Sequence, residues 1–425
     1  MEVLKNRTNL CLVLLIFFLS TRASGLSLSN FFLFGSLLLN ISIAASRKIR
    51  IDKSFVLFFV LLSVVILQNF VELGEYFDVF RYLKFLSLIL TAYLTIKIVR
   101  MDFFVHFNKI VYYTIWFSIP FYLWQLVSVE SLHQVGKSMN AIFSGLMDVS
   151  TISGNESLNI LFYTIEFVEN FRNSGPMWEP GGFATVIVLA LFFELLQNNF
   201  KFTKVCWVFV LGVLITFSTT GYITALVVIF FFLSKKAQQS SSRFFKPLLY
   251  MLLPAFLVTT VIVFLNAPIF YEKIITEITM QSEMIKNLSD YGDKFQSLGR
   301  FGSLQVDLSS LEGKFLFGRG YTDENFREKY ENLYFTNGLS SFIGRMGLVG
   351  LAWLLFSLFK SGKLVVYGLS GSGSGSLTYL LLVIIIAFSN PVLFTPLFLV
   401  LQLFFIPFKP HAHAKYQAGY SDSSS

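Results

Sequence analysis

The residues best suited to chemistry in this chain are a few arginines and one carboxylate set among glycine, proline and aromatic residues. In Phe171-Arg172-Asn173-Ser174-Gly175-Pro176-Met177-Trp178-Glu179-Pro180-Gly181-Gly182, one cation and one carboxylate share a short segment. Glycine and proline at this density force an ordered, turning backbone, so Gly175, Pro180 and Gly181 are read as structural turn residues. A helix start alone would account for Glu179 and Pro180, through the dipole and the first-turn preference of proline, but not for Arg172 and Trp178 beside them. Further on, Arg300 lies in Gly299-Arg300-Phe301-Gly302 and Arg319 in Phe317-Gly318-Arg319-Gly320-Tyr321. Guanidinium groups suit phosphate because they are planar, permanently charged and bidentate. Arg327, flanked by Glu324, Glu328 and Glu331, reads as an ordinary solvated ion-pair residue. Arg300 and Arg319 have no acidic neighbours in their motifs, so their partners come from elsewhere, a ligand included. Arg345, in Gly344-Arg345-Met346-Gly347, falls a few residues inside an apolar run. It is a functional candidate by default, with snorkelling to the interface as the alternative.

The elements that must position these residues belong to a membrane. The chain has 425 residues, 55% hydrophobic and 14% charged, with 51 phenylalanines. A soluble domain carries roughly 45–50% apolar and about 25% charged residues. With a mean hydropathy of +0.66, a soluble globule and a disordered chain are both excluded. The expected fold is an all-α integral membrane protein with about twelve transmembrane helices and two larger periplasmic segments. Apolar runs fall near 8–24, 27–46, 54–72, 82–99, 110–128, 181–198, 203–217, 220–234, 246–266, 338–359, 377–390 and 392–408. The first resembles a signal peptide, but a second run follows at once, so an uncleaved helical hairpin is expected.

Placing Lys and Arg inside puts both termini in the cytoplasm and both long connections outside. The organisation is then 1–128 (helices 1–5), 129–180 (first periplasmic segment), 181–266 (helices 6–9, with a short hairpin), 267–337 (second periplasmic loop), 338–408 (helices 10–12) and 409–425 (cytoplasmic tail). The net charge of +8 is a topology signal, and nucleic acid is not expected as a partner. Cys11 and Cys206 offer no disulfide framework, and no Cys/His spacing suits a metal, so neither metal nor cofactor is expected. The Gly371–Ser376 run reads as a flexible linker. Thr216, Ser218, Thr219, Thr220 and Gly221 interrupt the apolar runs, and their hydroxyls either satisfy freed backbone groups or line a cavity. Neither a Walker-type loop nor a nucleophile elbow is present, so an enzymatic site would lie at the outer face and work without ATP.

Arg172, Gly175, Trp178, Glu179, Pro180 and Phe183-Ala184 resemble the R-x-x-G-x-x-x-E-P motif of Wzy-type O-antigen and polysaccharide polymerases, within the O-antigen ligase superfamily. Phe217-Ser218-Thr219-Thr220-Gly221 is similar to the Ser/Thr-rich break that follows in that family. Arg300, Phe317-Gly318-Arg319-Gly320, and Asn337-Gly338 through Gly347-Leu348-Val349-Gly350 resemble its second periplasmic signature. The likeness covers order and spacing over residues 172 to 350, together with the twelve-span outline.

The resemblance implies an enzyme of the bacterial inner membrane that polymerises polyprenyl-diphosphate-linked oligosaccharide repeat units. Donor and acceptor glycans on lipid diphosphates, membrane lipid and a chain-length regulator are the partners it points to. It implies diphosphate contacts from Arg172, Arg300, Arg319 and Arg345, with Glu179 acting on the acceptor hydroxyl and a hydrophobic groove for the prenyl tail. Glu179, Arg172 and Arg300 are thus the expected catalytic residues. The related ligases carry a functional histidine in the second outer loop, whereas the outer histidine here, His133, falls in the first and the second offers Asn332 and Asn337. That favours the polymerase over a ligase. A flippase or other transporter is the alternative from another class, and the lack of a visible internal repeat speaks against it. A transferase using a monoprenyl-phosphate donor would want an acidic pair in the first outer segment, where no Asp-x-Asp occurs.

Overall fold

The computed structural model describes residues 2–73, 79–142, 148–150, 157–167, 170–239, 279, 296–311, 313–321, 326, 330, 333–373 and 375–408. These are mostly helical, as an all-helical membrane protein is. Five helices are long and apolar enough to cross a membrane: α5 (Val79–Val99), α6 (Asp102–Val127), α8 (Pro180–Gln197), α10 (Thr219–Gln239) and α12 (Gly338–Ser370). Before them come α1 (Glu2–Leu19), α2 (Gly25–Leu28), α3 (Asn30–Ser46) and α4 (Lys53–Leu73). The remaining helices among the described residues are α7 (Val129–Ile142), α9 (Lys204–Leu214), α11 (Arg300–Ser309), α13 (Ser376–Ser389) and α14 (Pro396–Leu403).

The expected runs and the helices differ in instructive ways. The run at 8–24 ends as helix at Leu19, because Thr21 bonds back to Phe18 and Ser24 caps α2, with Arg22 at a φ of 56° between them. The run at 338–359 continues as helix to Ser370, since Lys and Gly end an apolar count without ending a helix. The run at 392–408 is helical only over Pro396–Leu403. The run at 246–266 lies outside the described residues.

Helix α8 is apolar on every side and therefore belongs in the interior. Among its residues from Pro180 to Leu196, only Gly181 is not buried, and α6, α9, α10 and α12 pack around it. In lipid, helix association relies on close packing rather than on expulsion of water. Gly221 of α10 illustrates this, because a Cβ there would stand 2.6 Å from the Cβ of Ala184.

The two long connections carry small cores of their own, where a few three-residue strands accompany the helices. The first contains an antiparallel sheet of β1 (Asp148–Ser150), β2 (Ser157–Asn159) and β3 (Thr164–Glu166), with Leu158 opposite Ile165. Leu132 of α7 packs with Leu158, Tyr163 and Ile165 beneath it. The second contains a parallel pair, β4 (Gln296–Leu298) and β5 (Leu333–Phe335), closed over Val306 of α11. Strands of three residues are too short to show a periodicity in sequence.

Candidate functional site

The segment that holds Arg172 and Glu179 is clamped from several directions. Gln125, buried near the end of α6, donates to the carbonyls of Asn170 (2.7 Å) and Arg172 (3.1 Å), and its oxygen accepts from the Glu166 N–H. Tyr122 donates to the Phe171 carbonyl, Asn173 to the Ser118 hydroxyl, and Thr164 to the Met177 carbonyl. Gly175 turns the chain with a φ of +48°, and a Cβ there would press into the Phe183 ring at 2.7 Å. Only glycine satisfies both conditions. Pro180 occupies the first turn of α8, while Gly181 is already helical, with Glu179, Asn390 and Ser218 around the space a side chain would fill.

Glu179 stands at the N-cap position of α8 but makes no capping bond with its side chain. A simple helix start therefore does not explain its carboxylate. Asn390 reaches it from the turn between α13 and α14. The hydrogen-bond network assigns the Asn390 amide with its nitrogen donating to Glu179 Oε1 at 2.6 Å and to the Ser389 carbonyl at 3.3 Å, and its oxygen toward Thr185. Glu179 lies one residue before the span, and burial pushes its carboxyl above the usual carboxylate range. Arg300, then Arg172 and Arg22, oppose that rise. The Trp178 Nε1 nearby is buried and makes no hydrogen bond among the described residues.

The break between α9 and α10 holds the two flanking arginines. Arg172 Nε donates to the Thr216 carbonyl at 3.4 Å, and Arg300 Nη2 approaches Thr220 Oγ1 at 3.5 Å. The hydroxyls of this break mainly serve the backbone: Thr216 bonds to the Val213 carbonyl and Ser218 accepts from the Gly221 N–H. Arg300 is exposed at the first position of α11, and Asn337 donates to its carbonyl at 3.1 Å.

Arg319 is not at this centre. Its Nη2 donates to Asp307 Oδ1 at 2.7 Å, its Nη1 donates to Ser310, and its guanidinium lies 3.6 Å from the Phe326 ring centroid. The partner that the sequence left open for Arg319 is thus Asp307 from within the chain, and both side chains are buried. Arg345 also lies apart, against the rings of Tyr321 and Phe394, with their centroids 5.3 and 5.5 Å from its guanidinium. The helix breaks beside it at Gly347, whose φ is 63°.

Two residues at the centre escaped the sequence reading. Arg22 lies 5.1 Å from the Trp178 ring centroid and donates to the Pro391 carbonyl at 2.8 Å. A cation near the end of the first apolar run was its signal. Asn390 had only the Ser389-Asn390-Pro391 interruption between two apolar runs. Among the described residues, no group of three or more His, Cys, Asp or Glu side chains is arranged to hold a metal ion. Compared with protein-family models, curated proteins and solved structures, the chain finds no match.

Proposed function

We propose that the protein is a polymerase of lipid-linked oligosaccharide repeat units, a glycosyltransferase of the bacterial inner membrane with twelve spans and both termini in the cytoplasm. The observation that carries this reading is the partly buried Glu179 carboxylate, held by Asn390 and faced by Arg300, Arg172 and Arg22 on a clamped turn at the end of a span. The acceptor sugar hydroxyl attacks the anomeric carbon of the donor, and its proton passes to Glu179. The bond from that carbon to the diphosphate oxygen breaks, and the polyprenyl diphosphate leaves with the electron pair. Arg300 and Arg172, with Arg22 behind them, stabilise the charge that develops on it. A carboxylate with a raised proton affinity is a better base than an exposed one, provided it is ionised at working pH.

An apolar cleft between α1 and α6 supports the reading further. It measures about 220 Å³, is lined by Leu14, Phe17, Tyr113 and Phe117, and reaches Pro176 of the turn. A prenyl tail in that cleft would have its head beside the site. The test is deletion of the gene followed by electrophoresis of surface polysaccharide. A lipid core capped by one repeat unit supports the polymerase; loss of all capped core, with lipid-linked polymer accumulating, means a ligase instead.

A further inference from the structure

A second cavity, of about 230 Å³, is lined by Pro391 and bounded by Arg22, Lys84 and Arg345. Three cations come from three separate elements: the α1–α2 turn, α5 and α12. No carboxylate lines the cavity among the described residues. The side chains of Lys84 and Arg345 make no hydrogen bond or ion pair with any described residue, and Arg22 bonds only to the Pro391 carbonyl and stacks on Trp178. Asp307, the acid nearest in kind, has one oxygen on Arg319 and the other on Ser340 at 2.7 Å each. Of the three cations only Arg22 faces a carboxylate among the described residues, Glu179, and Asp307, which acts on Arg345, is already held by Arg319 and Ser340, so an anion in the cavity would supply the missing counter-charge.

The remaining walls say what kind of anion. Leu19, Leu28, Leu33 and Leu88 adjoin the cations, and Arg345 lies against the edge-on pair of rings formed by Tyr321 and Phe394. The outer surfaces of α3 and α5 nearby expose Phe31, Phe80 and Leu83. A small soluble anion needs no leucine wall, whereas the phosphate head of a lipid brings its first methylenes with it. The volume far exceeds the ~10–15 Å³ that a single water requires.

We propose that the cavity between Arg22, Lys84 and Arg345 is a binding site for the phosphate-bearing headgroup of a membrane lipid, adjoining the Glu179 centre and sharing Arg22 with it. It stands whether or not the Glu179 centre polymerises glycans. The test titrates the purified full chain in neutral detergent with phosphatidic acid, and separately with inorganic diphosphate, reading binding by calorimetry. Phosphatidic acid is expected to bind more tightly than inorganic diphosphate. Arg345→Ala and Lys84→Gln are each expected to weaken the lipid about tenfold or more, and Glu179→Gln to leave it unchanged. Arg345→Lys, which retains the charge, should recover part of the loss and so separates loss of binding from loss of fold. Equal binding by wild type, Arg345→Ala and Lys84→Gln overturns the proposal. Loss of binding in Glu179→Gln assigns the anion to the other centre and overturns it as well. Inorganic diphosphate binding as tightly as the lipid overturns the lipid as occupant.

Discussion

Asp307→Ala should destabilise the protein far more than a loop substitution does. The side chains of Asp307 and Arg319 retain 1% and 4% of their exposure, and the carboxylate accepts from Arg319 Nη2 and Ser340 Oγ, each at 2.7 Å. Removing the acid leaves a buried guanidinium with only Ser310 and the Phe326 ring as company among the described residues, and it leaves the Ser340 hydroxyl only a 3.2 Å bond to the Asn337 carbonyl. Breaking a buried pair in this way costs about 3–5 kcal/mol. The double variant Asp307→Leu/Arg319→Met removes both charges and should recover most of that loss, because well-packed apolar replacements of buried pairs are often close to neutral. Equilibrium unfolding in neutral detergent measures both. A single variant within about 0.5 kcal/mol of wild type would place the pair in solvent-like surroundings and refute the assignment. A double variant as unstable as the single would show that the loss comes from packing and not from the stranded charge.

Other consequences are as direct. Glu179 has a raised affinity for its proton when folded, so its ionised form destabilises the native state as pH rises through that raised value. Glu179→Gln should therefore raise the thermal midpoint at neutral pH, with the gain fading as pH falls toward the ordinary carboxylate range; a pH series of melting curves reads this. Under the proposed mechanism the ionised base is required, so polymerisation by the wild type should fall off on acidification at a pH above that same range. Gly175→Ala forces a left-handed backbone, worth about 1–2 kcal/mol, and a Cβ against Phe183, so unfolding measurements should show at least that loss. Asn390→Leu removes the amide from Glu179, and a bond to a charged group contributes about 1.5–3 kcal/mol. Turnover in a reconstituted assay should fall roughly tenfold to a hundredfold.

The sequence showed the membrane helices plainly, because apolar runs such as 82–99 and 181–198 are long enough to leave no other solvent for them. It showed the Arg172–Glu179 turn for a similar reason, since glycine and proline mark backbone geometry locally. What it hid depends on contacts distant in the chain. Asp307 precedes Arg319 by twelve residues, and α11 must fold against Gly344 before the two meet. Arg22 and Asn390 are separated by most of the chain and come together only through the turn at Pro391. A lone polar residue between apolar runs carries no hint of which face of the bundle it will reach. The short sheets were hidden for a different reason, because a three-residue strand has no room for an alternating pattern.

The account rests most directly on Glu179 and the arginines that face it. In a strain lacking the gene, complementation with Glu179→Gln, Arg172→Ala and Arg300→Ala, followed by electrophoresis of surface glycan, isolates their role. Each variant should reach the membrane at the wild-type level and yield single repeat units in place of long chains. Normal chain-length ladders from all three variants would contradict the site.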